Sequence, residues 1–376
     1  MLNVIIMGLT SLFTDISTEM VYPLIPLYLT QRLGAGAATV GFIEGVAESL
    51  ASLLKVFSGY ISDKVGKRKP LAILGYASST IGKILLYFSS SWGWVFAGRT
   101  VDRFGKGVRN APRDALIAES TDKENLGKAY GLHRAMDSAG AVIGVVLAYY
   151  FLTSYKGDYT AVFMYSLIPA ALGVIVLFFA KETRGLKPLA KNISFSWSKL
   201  DRRLKMFLIV IFIFSLGNSS NQFLLLRAKN VGFTDATVIL LYLAYNVIYM
   251  VLSYPLGRLS DRIGRKRLLV AGYLFYGLVY LGFAFFTSKA AVWTLFAVYG
   301  IYIALTEGVE KALVAEIAPE NLKGTLIGLH DTFVGIGLMP ASFIAGLLWD
   351  AISPAATFYF GGFMGILASL GLYLVL

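Results

Sequence analysis

The chain has 376 residues, 57% of them hydrophobic and only 15% charged, with 34 basic against 22 acidic side chains. A mean hydropathy of +0.67 excludes an ordinary soluble domain. The net charge of +12 fits the basic cytosolic loops of a membrane protein better than a nucleic-acid footprint.

In chain order, apolar segments predict twelve membrane-spanning helices: 3–30, 38–61, 70–90, 93–119, 127–152, 160–180, 204–227, 235–257, 268–286, 290–318, 324–348 and 354–376. Apolar runs of about 20 residues without period-two alternation argue against a β-barrel. The first segment starts near Met1, lacks a basic leader and carries Asp15 and Glu19, so it reads as a span and not as a cleaved signal. Connections are short except for Lys181 to Arg203. That loop divides the chain into an N-terminal six-helix bundle (1–181), a basic cytosolic linker (182–203) and a C-terminal six-helix bundle (204–376). Phe195 and Trp197 of the linker are expected on the membrane surface. Lys and Arg concentrate in the linker, in the 2–3 loop (Lys64, Lys67, Arg68, Lys69) and in the 8–9 loop (Arg258, Arg262, Arg265, Lys266, Arg267). These loops are therefore cytosolic, which puts both termini on the cytosolic side of the cytoplasmic membrane.

Charges inside spans cost several kcal/mol unless they face water, a partner or a ligand, so each is a candidate site. Span 1 has Asp15 and Glu19 one turn apart, and span 2 has Glu44 and Glu48. Span 4 carries Arg99, Asp102, Arg103, Lys106, Arg109, Arg113 and Asp114. At about 100° per residue these seven share an arc of roughly 140°, opposite a small and apolar back. The acids Asp15, Glu19, Glu44, Glu48 and Asp102, with Arg99, are the proton-coupling candidates, because a buried carboxylate can exchange protons near neutral pH. Arg103 and Lys106 are assigned to the substrate cavity. Arg109, Arg113 and Asp114 are read as an ion-pair network with span 10 or 11. In span 5, His133, Arg134 and Asp137 cluster within one turn, and His330 and Asp331 mirror them in span 11.

Span 7 holds Asn218, Asn221 and Gln222, which can orient a ligand but cannot carry protons. Tyr245 and Asn246 of span 8 join them as cavity candidates. The coupling machinery is thus expected in the N-terminal half. With no cysteine and two histidines, neither a metal site nor another cofactor is expected.

The halves repeat. Gly59-Tyr-Ile-Ser-Asp63-Lys-Val-Gly66 matches Gly257-Arg-Leu-Ser-Asp261-Arg-Ile-Gly264, each followed by three basic residues. Arg113 to Glu119 matches Glu310 to Glu316, and Gly131-Leu-His133 matches Gly328-Leu-His330. Offsets of 197 to 198 residues in three places indicate parallel six-span repeats, a transporter pattern. Gly66 and Gly264 suit tight turns.

The doubled loop resembles the signature loop of the major facilitator superfamily, and the likeness covers essentially the whole chain. Asp102 to Leu116 resembles a branch of prokaryotic members. The resemblance implies two six-helix bundles rocking about a central cavity, with Gly59, Asp63, Gly66, Gly257, Asp261 and Gly264 latching the outward-facing state. Arg99 matches the family's helix-4 arginine, although Asp102 and Arg103 stand where that motif has Gln and Gly. The antiporter pattern of helix 5 is partly present in Gly140 and Gly144, with Val145 in place of proline. Arg113 and Asp114 against Glu310 and Lys311 reverse charge between repeat-related helices and are read as gating pairs between bundles.

The expected function is secondary active transport of a small solute, anionic or zwitterionic, by alternating access. Coupling to protons is expected, with export favoured on the resemblance. An organic-anion uptake symporter is the alternative; a non-transporting sensor ranks below it. No nucleophile–base cluster or nucleotide loop is present, so an enzyme is not expected. The expected partners are the solute, protons and the bilayer, with no nucleic acid and a monomeric chain.

Overall fold

The structure, a computed structural model, describes residues 2–65, 67–122, 125–182, 201–317 and 323–375. All regular secondary structure among them is helical. Twelve spans follow one another: Leu2–Val21 (extended by short helical turns to Arg32), Ala37–Val65, Lys69–Tyr87, Trp92–Glu119, Leu126–Ser154, Tyr159–Phe178, Arg202–Gly217 with Gln222–Asn230, Asp235–Ile263, Arg265–Phe285, Lys289–Ile317, Lys323–Ala351 and Pro354–Val375. Among the described residues nine helices are long and apolar enough to cross a membrane. Spans 2, 3 and 4, which carry Glu44 and Glu48, Lys83 and the charged stripe, fall outside that set. Linker residues 183–200, with Phe195 and Trp197, lie outside the described residues, as do Gly66 and the side chain of Asp63.

The chain forms two compact units, residues 1–34 with 46–192 and residues 35–45 with 193–376. The segment 35–45 groups with the C-terminal unit for a visible reason. The Asp350 carboxylate accepts from the Ala37 amide at 3.0 Å and the Ala38 amide at 2.8 Å. That is an acidic cap on the positive end of span 2. Gly41 lies flat against the Ser342 backbone, where an added Cβ would sit 2.9 Å from the carbonyl carbon.

In the N-terminal unit, spans 3 and 4 approach through small residues. A Cβ on Gly82 would lie 2.6 Å from the Gly98 carbonyl oxygen, and one on Gly105 would lie 2.7 Å from Ser79 Oγ. Helices in lipid associate by such close backbone packing, since apolar burial gives them no driving force there. The consequence is local: span 3 side chains sit directly over the charged stripe of span 4. In the C-terminal unit Gly264 joins spans 8 and 9 at φ +94°, a conformation that a side chain would strain, as the sequence expectation for this turn requires.

Span 7 departs from the expected continuous helix. It stops at Gly217 and restarts at Gln222. Asn218, Ser219, Ser220 and Asn221 compete for backbone partners with their own side chains, which disfavours a helix interior. The freed groups are met locally: Tyr276 OH donates to the Gly217 carbonyl at 2.8 Å, and the Ser220 amide donates to Ser342 Oγ at 3.1 Å.

Candidate functional site

Each unit carries a polar centre at a span that breaks the apolar pattern. In the N-terminal unit it is built on span 4. Arg99, Asp102, Arg103 and Arg109 are all buried, as is Lys83 of span 3. Asp102 is the hub. Its Oδ1 takes Lys83 Nζ at 3.3 Å and its Oδ2 takes Arg99 Nη1 at 3.4 Å, with Arg103 Nε at 3.8 Å. Arg103 Nε also reaches Glu48 Oε1 of span 2 at 3.1 Å. The Arg99 guanidinium lies 5.6 Å from the centroid of the Tyr22 ring. At membrane depth an isolated charge would be untenable, and this arrangement answers it with a compact lattice of opposite charges.

The expected stripe is therefore real, and the structure supplies its partners. Asp102, Arg99, Arg103 and Glu48 come together. Lys106 is half-buried, with Arg103 and Glu48 as its strongest electrostatic neighbours. Asp15 and Glu19 are half-buried on span 1. The Asp15 carboxyl lies within hydrogen-bonding reach of Asp137 of span 5. Glu44 is fully buried but belongs to the segment that groups with the C-terminal unit.

Within the N-terminal unit, the lower stripe finds partners in spans 1, 3 and 5. Arg109 donates to Ser79 Oγ, and its guanidinium lies 4.6 Å from the Tyr76 ring centroid. Arg113 pairs with Asp114 at 2.9 Å and reaches Ser11 Oγ at 3.4 Å. Tyr130 OH of span 5 donates to the Asp114 carbonyl at 2.9 Å. In the C-terminal unit, Glu310 meets His330 Nε2 at 3.2 Å, and Lys311 meets Asp331 at 3.3 Å. Arg113 rides at the level of Ser11, and Glu310 at that of His330, so each has a nearby partner within its own unit.

In the signature loops, Asp261 accepts Arg265 Nη2 at 3.0 Å. Gly59 has the Ala111 side chain of span 4 in ordinary contact, and Gly257 has open space beside it.

The polar centre of the C-terminal unit surrounds the break in span 7. Asn221 Nδ2 donates to Tyr245 OH at 3.3 Å, and Tyr299 OH donates to Asn221 Oδ1 at 2.7 Å. Asn218 Nδ2 donates to Tyr302 OH at 3.4 Å. Tyr276, Tyr280, Tyr299 and Tyr302 form a contiguous aromatic wall, with centroids 4.1 to 6.2 Å apart between neighbours. Gln222 is fully buried, and both its amide atoms lack hydrogen-bond partners among the described residues. Asn246 turns instead onto its own helix, donating to the Tyr242 carbonyl at 2.8 Å.

Sequence reasoning missed Lys83 and this tyrosine wall. A lone lysine within an apolar span was the signal for the first. The i, i+3, i+7 spacing of Tyr273, Tyr276 and Tyr280 was the signal for the second. Among the described residues no group of three or more His, Cys, Asp or Glu side chains is placed to hold a metal ion.

Comparison with known proteins agrees with this two-part plan. The sequence profile of the Major Facilitator Superfamily matches residues 7–226 and again 206–376. An uncharacterised MFS-type transporter of Methanocaldococcus jannaschii is 40% identical over 378 residues, covering 98% of this chain and 93% of that protein. The multidrug resistance protein MdtH of Aeromonas hydrophila is 24% identical over 350 residues, covering 92% and 87%. Among solved structures, a variant of the nucleoside transporter NupG shares the fold at a TM-score of 0.83, with 11% identity and 99% of both chains covered. A POT family transporter in complex with a thioalcohol-conjugated peptide does so at 0.82, with 13% identity, covering 99% and 95%. A doubled profile over the whole length, on a chain whose halves repeat and whose described helices form twelve spans, leaves one assignment: this multi-pass membrane protein belongs to the major facilitator superfamily and is a transporter, not an enzyme.

Proposed function

We propose that the protein is a secondary active transporter that moves a small zwitterionic or amphipathic solute by alternating access, exports it, and is driven by protons. The observation that carries this reading is the division of labour between the two polar centres. The N-terminal centre holds many ionisable side chains within short distances of one another: Asp102 meets Lys83, Arg99 and Arg103, and Arg103 also meets Glu48. Intramembrane ionisable groups of this kind mark ion and proton pathways. The C-terminal centre is a broken helix walled by tyrosines and amides, suited to orienting a solute by hydrogen bonds and aromatic contact. Export is supported by the likeness to MdtH, described as a multidrug resistance protein. In this reading the signature loops latch one of the two access states, and both termini face the cytosol.

A second reading, proton-coupled uptake of an organic anion, is favoured by one observation. The buried lattice of Lys83, Arg99, Arg103, Asp102 and Glu48 has three cations against two anions.

The test is a thermal-stability screen of the purified protein against anionic, zwitterionic and cationic solutes, followed by flux measurements in proteoliposomes with the stabilising solute. Ligands that bind the folded state raise its melting temperature by mass action. Counterflow together with uphill movement driven by an imposed pH gradient supports the reading. Counterflow that ignores the gradient overturns proton coupling, and stabilisation by anions alone favours the second reading.

A further inference from the structure

We infer that Glu310, His330 and Asp331 form a proton-holding site in the C-terminal half, in which His330 is an imidazolium clamped between two carboxylates. The inference deepens the proton-coupled reading above and rests on it for its role in transport, although the site itself stands on geometry alone.

His330 is 2% exposed. Its Nε2 faces Glu310 Oε2 at 3.2 Å, and its Nδ1 faces Asp331 Oδ1 at 3.2 Å. A nitrogen and a carboxylate oxygen at that distance need a hydrogen between them. A neutral imidazole has only one N–H, so the cluster holds one proton more than a neutral ring and two carboxylates would supply. The surrounding donors decide where it sits. Glu310 already accepts from Tyr273 OH at 3.0 Å through its other oxygen, and Asp331 Oδ1 also accepts from Lys311 Nζ at 3.3 Å. Both carboxylates are thus solvated as anions, and the extra proton belongs on the ring. His330 and Lys311 then balance Glu310 and Asp331 in charge.

The neighbouring elements add little that would upset that balance. Span 10 contributes Glu307 one turn before Glu310, and span 9 contributes Tyr273. Span 7 has no charged side chain between Lys205 and Arg227, and span 12 has none at all. The cluster also has a way out. His330 is buried and the Glu310 side chain is 12% exposed, but the Lys311 side chain beside Asp331 is 44% exposed, so the cluster opens to the surface at Asp331.

The repeat-related histidine is set the opposite way. His133 Nε2 meets the hydroxyl of Ser11 at 2.9 Å, and that hydroxyl also takes Arg113 Nη1 at 3.4 Å. A hydroxyl can donate to a ring nitrogen as well as accept from one, so this contact needs no second ring proton. Two halves of one repeat therefore hold one charged and one neutral histidine, and a proton site lies in the half where sequence reasoning expected none.

The chain has only two histidines, which makes the test direct. The full-length protein is labelled with ¹⁵N-histidine, and the ring nitrogens are read by NMR at about pH 7.5, where a free imidazole is largely neutral. The expected spectrum has one ring with both nitrogens protonated and one neutral ring. The protonated pair persists in His133→Gln and disappears in His330→Gln. Glu310→Gln and Asp331→Asn each reduce the fraction of doubly protonated ring at that pH. Two neutral rings in the wild type overturn the site, as does a protonated ring that survives His330→Gln. If His330→Gln does not fold, His133→Gln leaves His330 as the sole signal and decides the matter. No solute enters this experiment, so a missing imidazolium overturns the site without touching the transporter reading. Absent counterflow overturns that reading without touching the site.

Discussion

Arg68 pairs with Glu119 at 3.1 Å, and the residues 197 positions further on, Arg265 and Glu316, pair at 2.6 Å. The first pair ties the 2–3 loop to the end of span 4; the second ties the 8–9 connection to the end of span 10. The same lock thus recurs in each half, built from one loop arginine and the glutamate that closes the matching repeat segment. The pairs differ in exposure. The side chains of Arg68 and Glu119 are 9% and 14% exposed, against 28% and 56% for Arg265 and Glu316. Arg68 also donates to Ser62.

Exposure predicts unequal strength, since solvent screens the outer pair. In a double-mutant cycle with Arg68→Ala and Glu119→Ala, we expect a coupling of about 1–3 kcal/mol. The same cycle on Arg265 and Glu316 should give less than about 1 kcal/mol. Thermal unfolding of the four variants in each cycle checks this, and equal couplings would refute it.

The buried lattice around Asp102 predicts an asymmetric response. Asp102→Ala strands Lys83 and Arg99 without a counter-charge, and should cost about 3–5 kcal/mol, showing as lost expression or a large fall in melting temperature. Lys83→Met leaves Asp102 with Arg99 and Arg103, and should cost less than about 2 kcal/mol. Combining the two should cost less than the sum, because Lys83 is no longer there to be stranded. Melting temperatures of the two single variants and the double variant decide it.

The close approach of spans 3 and 4 predicts sensitivity to a single methyl group. Gly82→Ala places its Cβ against the Gly98 carbonyl and the Asp102 amide. Both are backbone atoms and cannot swing aside. The helices must part, which lengthens the Lys83–Asp102 contact as well. A loss of about 1–3 kcal/mol is expected, read by thermal unfolding, whereas Gly131→Ala, with open space around it, should be near neutral.

How far these features were legible in the sequence depends on whether they need one helix or two. Helix count, the repeat and the charged face of span 4 follow from hydropathy, spacing and 3.6-residue geometry, and each lies within one segment. Partners do not. Lys83 meets Asp102 because glycines on two helices let their backbones touch, and nothing within span 3 or span 4 alone states that register. By the same limit, Ser79, Tyr76 and Ser11 could not be read in advance as partners of Arg109 and Arg113. The break in span 7 was written locally in Gly217 and four polar residues, but their amides also suit a ligand-facing stripe on an unbroken helix. Only the backbone decides between the two.

Gln222 gives the sharpest separation of stability from function. Its amide is fully buried, and neither amide atom has a partner among the described residues. An unpartnered buried amide costs about 1–3 kcal/mol, and an apolar residue of similar shape avoids that cost. Gln222→Leu is therefore expected to stabilise the solute-free protein by about 1 kcal/mol. A residue that weakens the empty fold is kept where it serves binding. If Gln222 turns toward the solute at the break of span 7, the same variant should lose most counterflow of a polar solute and most of its thermal stabilisation by that solute. Asn221→Ala makes the complementary case. It releases Tyr245 and Tyr299 from their hydrogen bonds, and should lower both stability and transport. Higher stability with full counterflow in Gln222→Leu would remove Gln222 from the solute site and leave it a packing defect.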